Sequence, residues 1–270
     1  MTKLRHRLSD FTRQVRLLGR PGHAAAVGRL FGLLRQPKYR PGMITWQGHR
    51  LRYADAPALY YQLSDIYVER VYDFTCERAD PRILDVGGHI GLASLRFREL
   101  FPAARISTFE PDPAHLDLLR ANLAEANDTS TEVVAAAAWT SDGKRAFAAT
   151  GDDSGALAET GGLQVATVDL ARFCTEPVDL LKLDVEGAEF ELIDHLSASG
   201  ALERVQRLFV EMHEWNSGSP RFHELIARLV KAGFNYRIRS AAAMGAAPNP
   251  AGFTALAHAA NLVALYAWRN

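Results

Sequence analysis

Ile83-Leu84-Asp85-Val86-Gly87-Gly88-His89-Ile90-Gly91 is the stretch on which the reading of this chain turns. A short apolar run enters a cluster of glycines, and a helical pattern continues from Ile90 to Leu100. Strand, glycine turn and helix in that order open an α/β sheet, whose ligands bind beyond the carboxyl ends of the strands. Glycine at such a turn lets a ligand approach the backbone. A dinucleotide fingerprint needs G-x-G-x-x-G. Gly88 and Gly91 fit its last two glycines, but the first falls on Val86, and Asp85 would repel a pyrophosphate. S-adenosylmethionine has no phosphate and carries a sulfonium and an ammonium, so an acid ahead of the turn suits it. Glu110 ends the next strand pattern, 25 residues after Asp85, where a carboxylate can accept both hydroxyls of a ribose.

The same rhythm extends on both sides. Strands are expected at 82–86, 105–109, 132–139, 178–183, 206–212, 234–238 and 261–268, and helices at 58–77, 90–100, 113–126, 188–196 and 222–232. Their alternation points to a mostly parallel sheet with helices on both faces. Residues 143–162 are glycine-rich and read as an irregular loop with at most one strand; Asp152, Asp153 and Ser154 lie on it. Residues 241–252 read as a surface loop. Upstream, Met43 to Tyr53 reads as two short strands around Gln47-Gly48. Leu4, Leu8, Phe11, Val15 and Leu18 recur at helical spacing. That stripe either packs on the main domain, the commoner fate, or gives residues 1–20 a peripheral contact with a membrane or partner.

Composition bounds the rest. With 48% hydrophobic and 23% charged residues in 270, the chain has ample material for a core and is neither disordered, collagenous nor coiled-coil. Two cysteines exclude a disulfide framework and suit a reducing compartment. No apolar run reaches the ~18 residues of a membrane span, and arginines interrupt any signal-peptide core, so a cytoplasmic location is expected. Charge is balanced overall but uneven: the first 40 residues hold ten Lys/Arg and one acid, Asp10, a net +9 against −9 on the remainder.

With these residues in view, the chain resembles a class I S-adenosylmethionine-dependent methyltransferase, and within that class the FkbM family. The glycine loop is shared widely; Leu180-Leu181-Lys182-Leu183-Asp184-Val185-Glu186-Gly187-Ala188-Glu189 is much more specific. Thr167-Val168-Asp169-Leu170, Val210-Glu211-Met212-His213 and Ala136-Ala137-Ala138-Trp139-Thr140 add to the likeness, which covers about 66–238. The resemblance implies a Rossmann-like, seven-stranded sheet with its last strand antiparallel. The chain is expected to divide into 1–55, a basic helical extension and hairpin acting as a cap, and 56–270, the methyltransferase domain. The resemblance also implies O-methylation of a sugar, glycolipid or polyketide-type natural product. Asp85, Gly87, Gly88 and Gly91 would line the methionine end of the cofactor, with His89 facing its carboxylate or capping the helix, Glu110 and Pro111 would line its ribose, and Ala136 and Ala137 its adenine. Tyr72, with Tyr67, would cover it or serve in packing.

Methyl transfer to an alcohol needs alignment and removal of a proton. Asp184 ends one strand pattern, and Glu211 and His213 end the next. Neighbouring parallel strands deliver their ends to one crevice. Three readings stay open: His213 as general base held by an acid, a Mg²⁺ ion on Asp184 and Glu211 with or without His213, or carboxylates that only orient loops. Lys182 is expected to pair Asp184 or Glu186, and Glu186 and Glu189 to open a helix. The expected partner is a small-molecule or glycan acceptor, in a chain able to form homo-oligomers. A nicotinamide oxidoreductase lacks its first glycine. A nucleic-acid methyltransferase lacks an Asn/Asp-Pro-Pro-aromatic motif, so no nucleic acid is expected. A catalytically silent binding protein on the same fold is the remaining rival.

Overall fold

The computed structural model describes residues 30–151, 155–158, 160–214, 221–240 and 261–270. The N-terminal stripe at 1–20, Asp152 to Ser154 and the 241–252 loop lie outside the described residues. A hairpin of β1 (Gly42–Trp46) and β2 (His49–Tyr53) leads into α1 (Ala56–Leu63) and a π-helical turn (Ser64–Val68). The alternating part follows: β3 (Arg82–Val86), α2 (Leu92–Leu100), β4 (Arg105–Phe109), α3 (Pro113–Glu125), β5 (Glu132–Val134) and β6 (Ala137–Trp139). Next come β7 (Gly143–Ala148), β8 (Ala156–Ala158), β9 (Leu163–Asp169), β10 (Leu180–Leu183), α4 (Glu189–Ala198) and β11 (Arg207–Glu214). The chain closes with α5 (Phe222–Lys231), β12 (Asn235–Ser240) and β13 (Asn261–Trp268).

The main sheet has seven strands in the order β12-β13-β11-β10-β3-β4-β5. The five from β11 to β5 are parallel, while β13 runs antiparallel to both β11 and β12. Chain order reverses between β3 and β10, which sets a crevice beyond their carboxyl ends. Alternation along β3 explains why its residues are nearly all buried: Ile83 joins a core under the N-terminal elements, and Leu84 and Val86 join one under α4 and α5. The first core also holds Leu30, Leu33, Leu51, Tyr53, Leu59 and Leu63, so the hairpin shares its packing with the domain. Asn122 reinforces this join: its amide bonds the Arg52 backbone on both sides and donates to the Ile90 carbonyl (2.9 Å). Asp55 caps α1 through the Ala58 N–H (2.8 Å), and Asp112 caps α3 through the Ala114 N–H (2.9 Å), each with proline in the first turn.

Three expectations are corrected. The helix expected at 58–77 stops at Leu63, passes into the π-helical turn and ends where Arg70 takes a left-handed backbone (φ +57°). The strand expected at 132–139 is two strands in different sheets: β5 closes the main sheet and β6 opens a second. That second sheet, β6-β9-β7-β8, occupies much of the stretch read as irregular, where Gly and Ala blur the apolar alternation. Among the described residues, no helix is long and apolar enough to cross a membrane.

Candidate active site

Register fixes the site before any side chain is considered. Across the face covered by α1 and the π-helical turn, Thr108, Asp85, Lys182, Phe209 and Tyr266 are successive cross-strand partners. Apolar packing fills that face below, but Asp85 and Lys182 put opposite charges side by side in its middle, fully enclosed at 0% and 2% exposure. Asp85 accepts from the Ser94 hydroxyl (2.6 Å) and the Thr108 hydroxyl (3.4 Å), and lies 3.3 Å from the Lys182 ammonium. Its carboxylate therefore holds the glycine loop from behind. Asp85 thus sits at the base of the glycine loop, enclosed by its own partners. A buried carboxylate is tolerable only with such partners.

The loop is shaped by close approach. Gly87 has φ +89°, and a β-carbon there would lie 1.8 Å from the Asp184 carbonyl oxygen. A β-carbon on Gly88 would lie 2.2 Å from the Thr108 hydroxyl. The Lys182 ammonium donates to the Gly87 carbonyl (2.8 Å) and lies 3.4 Å from Asp184, so the glycine loop and the turn after β10 are tied together. The expected pairing of Lys182 with Asp184 is present; its other carboxylate partner is Asp85, not Glu186.

Glu110 follows β4 and is 5% exposed. One carboxylate oxygen accepts the His89 N–H (2.7 Å) and the other the Asp112 N–H (2.8 Å), which leaves each a lone pair for a further donor. Burial pushes its pKa up to about 8 against the pull of those N–H groups. His89 pairs its ring with Gln62 of α1, so that helix touches the glycine loop directly. Ala136 and Ala137 are buried, small residues at the bend between β5 and β6. Tyr72 is packed edge-on against Phe209 (4.8 Å between centroids), its ring 5.5 Å from the Lys182 ammonium and its hydroxyl 3.4 Å from Asp184.

Asp184 follows β10 and comes together with Glu211 and His213, which lie within the second half of β11 and do not end it as expected, and the structure adds three carboxylates. Glu189, fully buried, accepts the Val185 and Gly187 N–H groups (3.1 and 3.0 Å) and pairs with His213 Nδ1 (3.1 Å). Glu186 lies 3.5 Å from His213 Nε2, its backbone left-handed (φ +56°). Asp65, from the π-helical turn, faces the same region, and its removal from water raises its pKa to about 6. Sequence periodicity hid Asp65 because it was read as one residue of a continuous helix. Burial opposes charge on His213, but Glu189, Asp184 and Glu186 outweigh it and push its pKa up to about 10. Glu211 is raised to about 8 by burial and then by Asp184, with His213 pulling the other way.

One group of described residues could hold a metal ion: Asp184, Glu186 and His213, with a ligand atom from each within 4.8 Å of the others. Glu211, expected as a ligand, is not in that group. The left-handed turn at Glu186 brings its carboxylate to His213 instead.

The sequence model of the "Methyltransferase FkbM domain" matches residues 85–236. The "Methyltransferase sdnD" of Sordaria araneosa is 28% identical over 204 residues, covering 60% of this chain and 78% of that protein. The "AMB antimetabolite synthetase AmbE" of Pseudomonas aeruginosa is 27% identical over 241 residues, 71% of this chain but 11% of that far longer protein. The crystal structure of methyltransferase FkbM from Methylobacillus flagellatus KT superposes with a TM-score of 0.50 at 13% identity, over 78% of this chain and 50% of that one. At that identity the likeness concerns the fold alone.

Proposed function

The chain belongs to the FkbM family of S-adenosylmethionine-dependent methyltransferases, and from that premise we propose that it transfers the cofactor's methyl group to a hydroxyl of a sugar, glycolipid or polyketide-type natural product. What supports this reading is that the glycine loop and Glu110 follow β3 and β4 while Asp184, Glu211 and His213 come from β10 and β11, the strands on either side of the reversal in chain order. In this reading Gly87, Gly88 and Gly91 admit the methionine end to the loop backbone, with His89 beside it. Glu110 takes the ribose hydroxyls on its remaining lone pairs, Pro111 borders the ribose, and Ala136 and Ala137 leave room for adenine. Asp85 keeps the loop in shape, and Tyr72 serves mainly in packing and as a partner of Asp184.

The chemistry is an in-line displacement. An oxygen lone pair forms the new C–O bond, the C–S bond breaks with its pair on sulfur, and the hydroxyl proton goes to a base. Alignment can supply several kcal/mol of the barrier reduction, and general-base assistance typically ~10²–10⁴-fold. We assign the base role to Glu211. Both ring nitrogens of His213 face carboxylates, Glu189 and Glu186, whereas Glu211 is a half-buried residue whose pKa, about 8, suits it to take a proton near neutral pH. His213 and Asp184 then position the acceptor oxygen. The same reading keeps the chain cytoplasmic and its acceptor a small molecule or glycan, with residues 1–55 as a cap on 56–270.

A second reading is favoured by the grouping of Asp184, Glu186 and His213. Two carboxylates and an imidazole fit a divalent cation, and the imidazole suits Mn²⁺, Co²⁺ or Zn²⁺ better than Mg²⁺. An ion held there would supply Lewis acidity to an acceptor hydroxyl. Titration with Mn²⁺ followed by electron paramagnetic resonance tests it: one site lost in Glu186→Gln supports the ion, and no binding at millimolar Mn²⁺ removes it. The main reading is tested by transfer of labelled methyl from the cofactor to a panel of sugars, glycolipids and hydroxylated polyketides. Alkali-stable methyl ethers are the expected product; labelled RNA or DNA instead would overturn it.

A further inference from the structure

Lys182 has no evident duty as a strand residue. Its neighbours Leu181 and Leu183 fill the sheet with carbon, yet at 182 the chain encloses an ammonium at 2% exposure. Enclosing a cation is costly unless fixed partners surround it. Those partners come from the three elements that frame the crevice. Asp85 belongs to β3 (3.3 Å), the Gly87 carbonyl to the glycine loop (2.8 Å), and Asp184 to the turn after β10 (3.4 Å). The Tyr72 ring covers the fourth side at 5.5 Å.

We infer that Lys182 is a positioning residue for the methyl donor, whose fixed ammonium between Asp85, Gly87 and Asp184 sets the charge that the donor's sulfur meets. This rests on the donor site proposed above. The donor enters as a sulfonium and leaves as a neutral thioether. As the C–S bond breaks with its electron pair on sulfur, the positive charge passes to the attacking oxygen and leaves with the proton taken by Glu211. Asp85 and Asp184 alone would present two negative charges to the sulfonium and hold the reactant tightly. With Lys182 between them the trio carries one. A cation at fixed distance disfavours the sulfonium more than the thioether, so it opposes over-binding of the reactant and favours the transition state in which charge leaves sulfur. Its bond to the Gly87 carbonyl also sets the spacing between the loop and the Asp184 turn.

The test compares calorimetric Kd values of S-adenosylmethionine and S-adenosylhomocysteine for the full chain and its Lys182→Met, Lys182→Gln and Lys182→Arg variants. A lysine that merely props the loop would weaken both ligands together and leave their ratio unchanged. The inference expects the ratio Kd(homocysteine form)/Kd(methionine form) to rise at least fivefold in Lys182→Met and Lys182→Gln and to stay near wild type in Lys182→Arg. An unchanged ratio in the neutral variants overturns it. If neither neutral variant folds, Asp184→Asn decides: loss of one negative charge should lower the ratio severalfold, and no change refutes the inference. A wild-type chain that binds neither ligand overturns the methyltransferase reading itself, a different outcome from binding both with an insensitive ratio.

Discussion

Replacing Gly87 by alanine should separate the steric demand of the site from ordinary backbone strain. Gly87 sits at φ +89°, and the added carbon would lie 1.8 Å from the carbonyl oxygen of Asp184 and 2.9 Å from its carbonyl carbon. Both are backbone atoms, so no side-chain rotation relieves the clash. The left-handed conformation costs alanine about 1–2 kcal/mol. Forcing the loop and the β10 turn apart adds about 1–3 kcal/mol, the usual cost of overpacking. The sum, about 2–5 kcal/mol, corresponds to a Tm lower by roughly 5–15 °C for a domain of this size. Gly161 is the control: its φ is +78°, but a β-carbon there meets nothing within 4 Å, so alanine should cost only the strain. The assay is thermal unfolding of both variants with calorimetric binding of S-adenosylmethionine. Gly87→Ala should lose more stability than Gly161→Ala and at least tenfold in affinity. Equal Tm shifts with wild-type affinity in Gly87→Ala would refute the close approach of loop and turn.

Further outcomes follow from single contacts. Glu110 has a pKa raised to about 8 when free, and hydroxyl donors from a ribose would favour its ionised form, so cofactor binding should release protons below that pH. Affinity should therefore tighten as pH rises towards 8 and level off above it, with the slope abolished in Glu110→Gln; a flat wild-type profile would contradict the ribose assignment. In the unliganded chain the same group binds more protons folded than unfolded, so its contribution to stability falls as pH rises from about 4.5 to 8. Ser94→Ala removes the 2.6 Å hydroxyl bond to the enclosed Asp85 and should cost about 1.5–3 kcal/mol in urea unfolding, as expected for a bond to a buried charge. Asn122→Ala leaves the Arg52 and Ile90 backbone groups without their amide partner and should cost about 1–3 kcal/mol. Hydrogen exchange at 42–53 should quicken in that variant before exchange in β3 does.

What could be read from the sequence follows the strength of local pattern. β3 and β13 fall on the expected 82–86 and 261–268 because apolar runs with clear ends leave little choice of boundary. The site's acids were legible near the ends of strand patterns: Asp85 comes near the close of β3, Glu110 follows β4, Asp184 follows β10, and Glu211 comes just after β11's pairing with β10. Contributions that arise only from tertiary geometry were not. Glu189 reads as a first-turn acid, but the fold buries it completely beneath His213. Asp65 lies in a π-helical turn, a departure that 3.6-residue periodicity cannot signal. Lys182 pairs with Asp85 only because their strands are in register, a partnership between residues 97 positions apart. The second sheet has little signal in the sequence because β7 and β8 carry small and polar residues with weak alternation.

The most direct measurement of the central claim is calorimetric binding of S-adenosylmethionine to the purified chain and to Glu110→Ala, with and without EDTA. The account expects one site of micromolar affinity, weakened at least tenfold by Glu110→Ala and accompanied by proton release below pH 8. Absence of binding by both the methylated cofactor and its demethylated product would contradict it, and would leave a binding protein built on a methyltransferase fold.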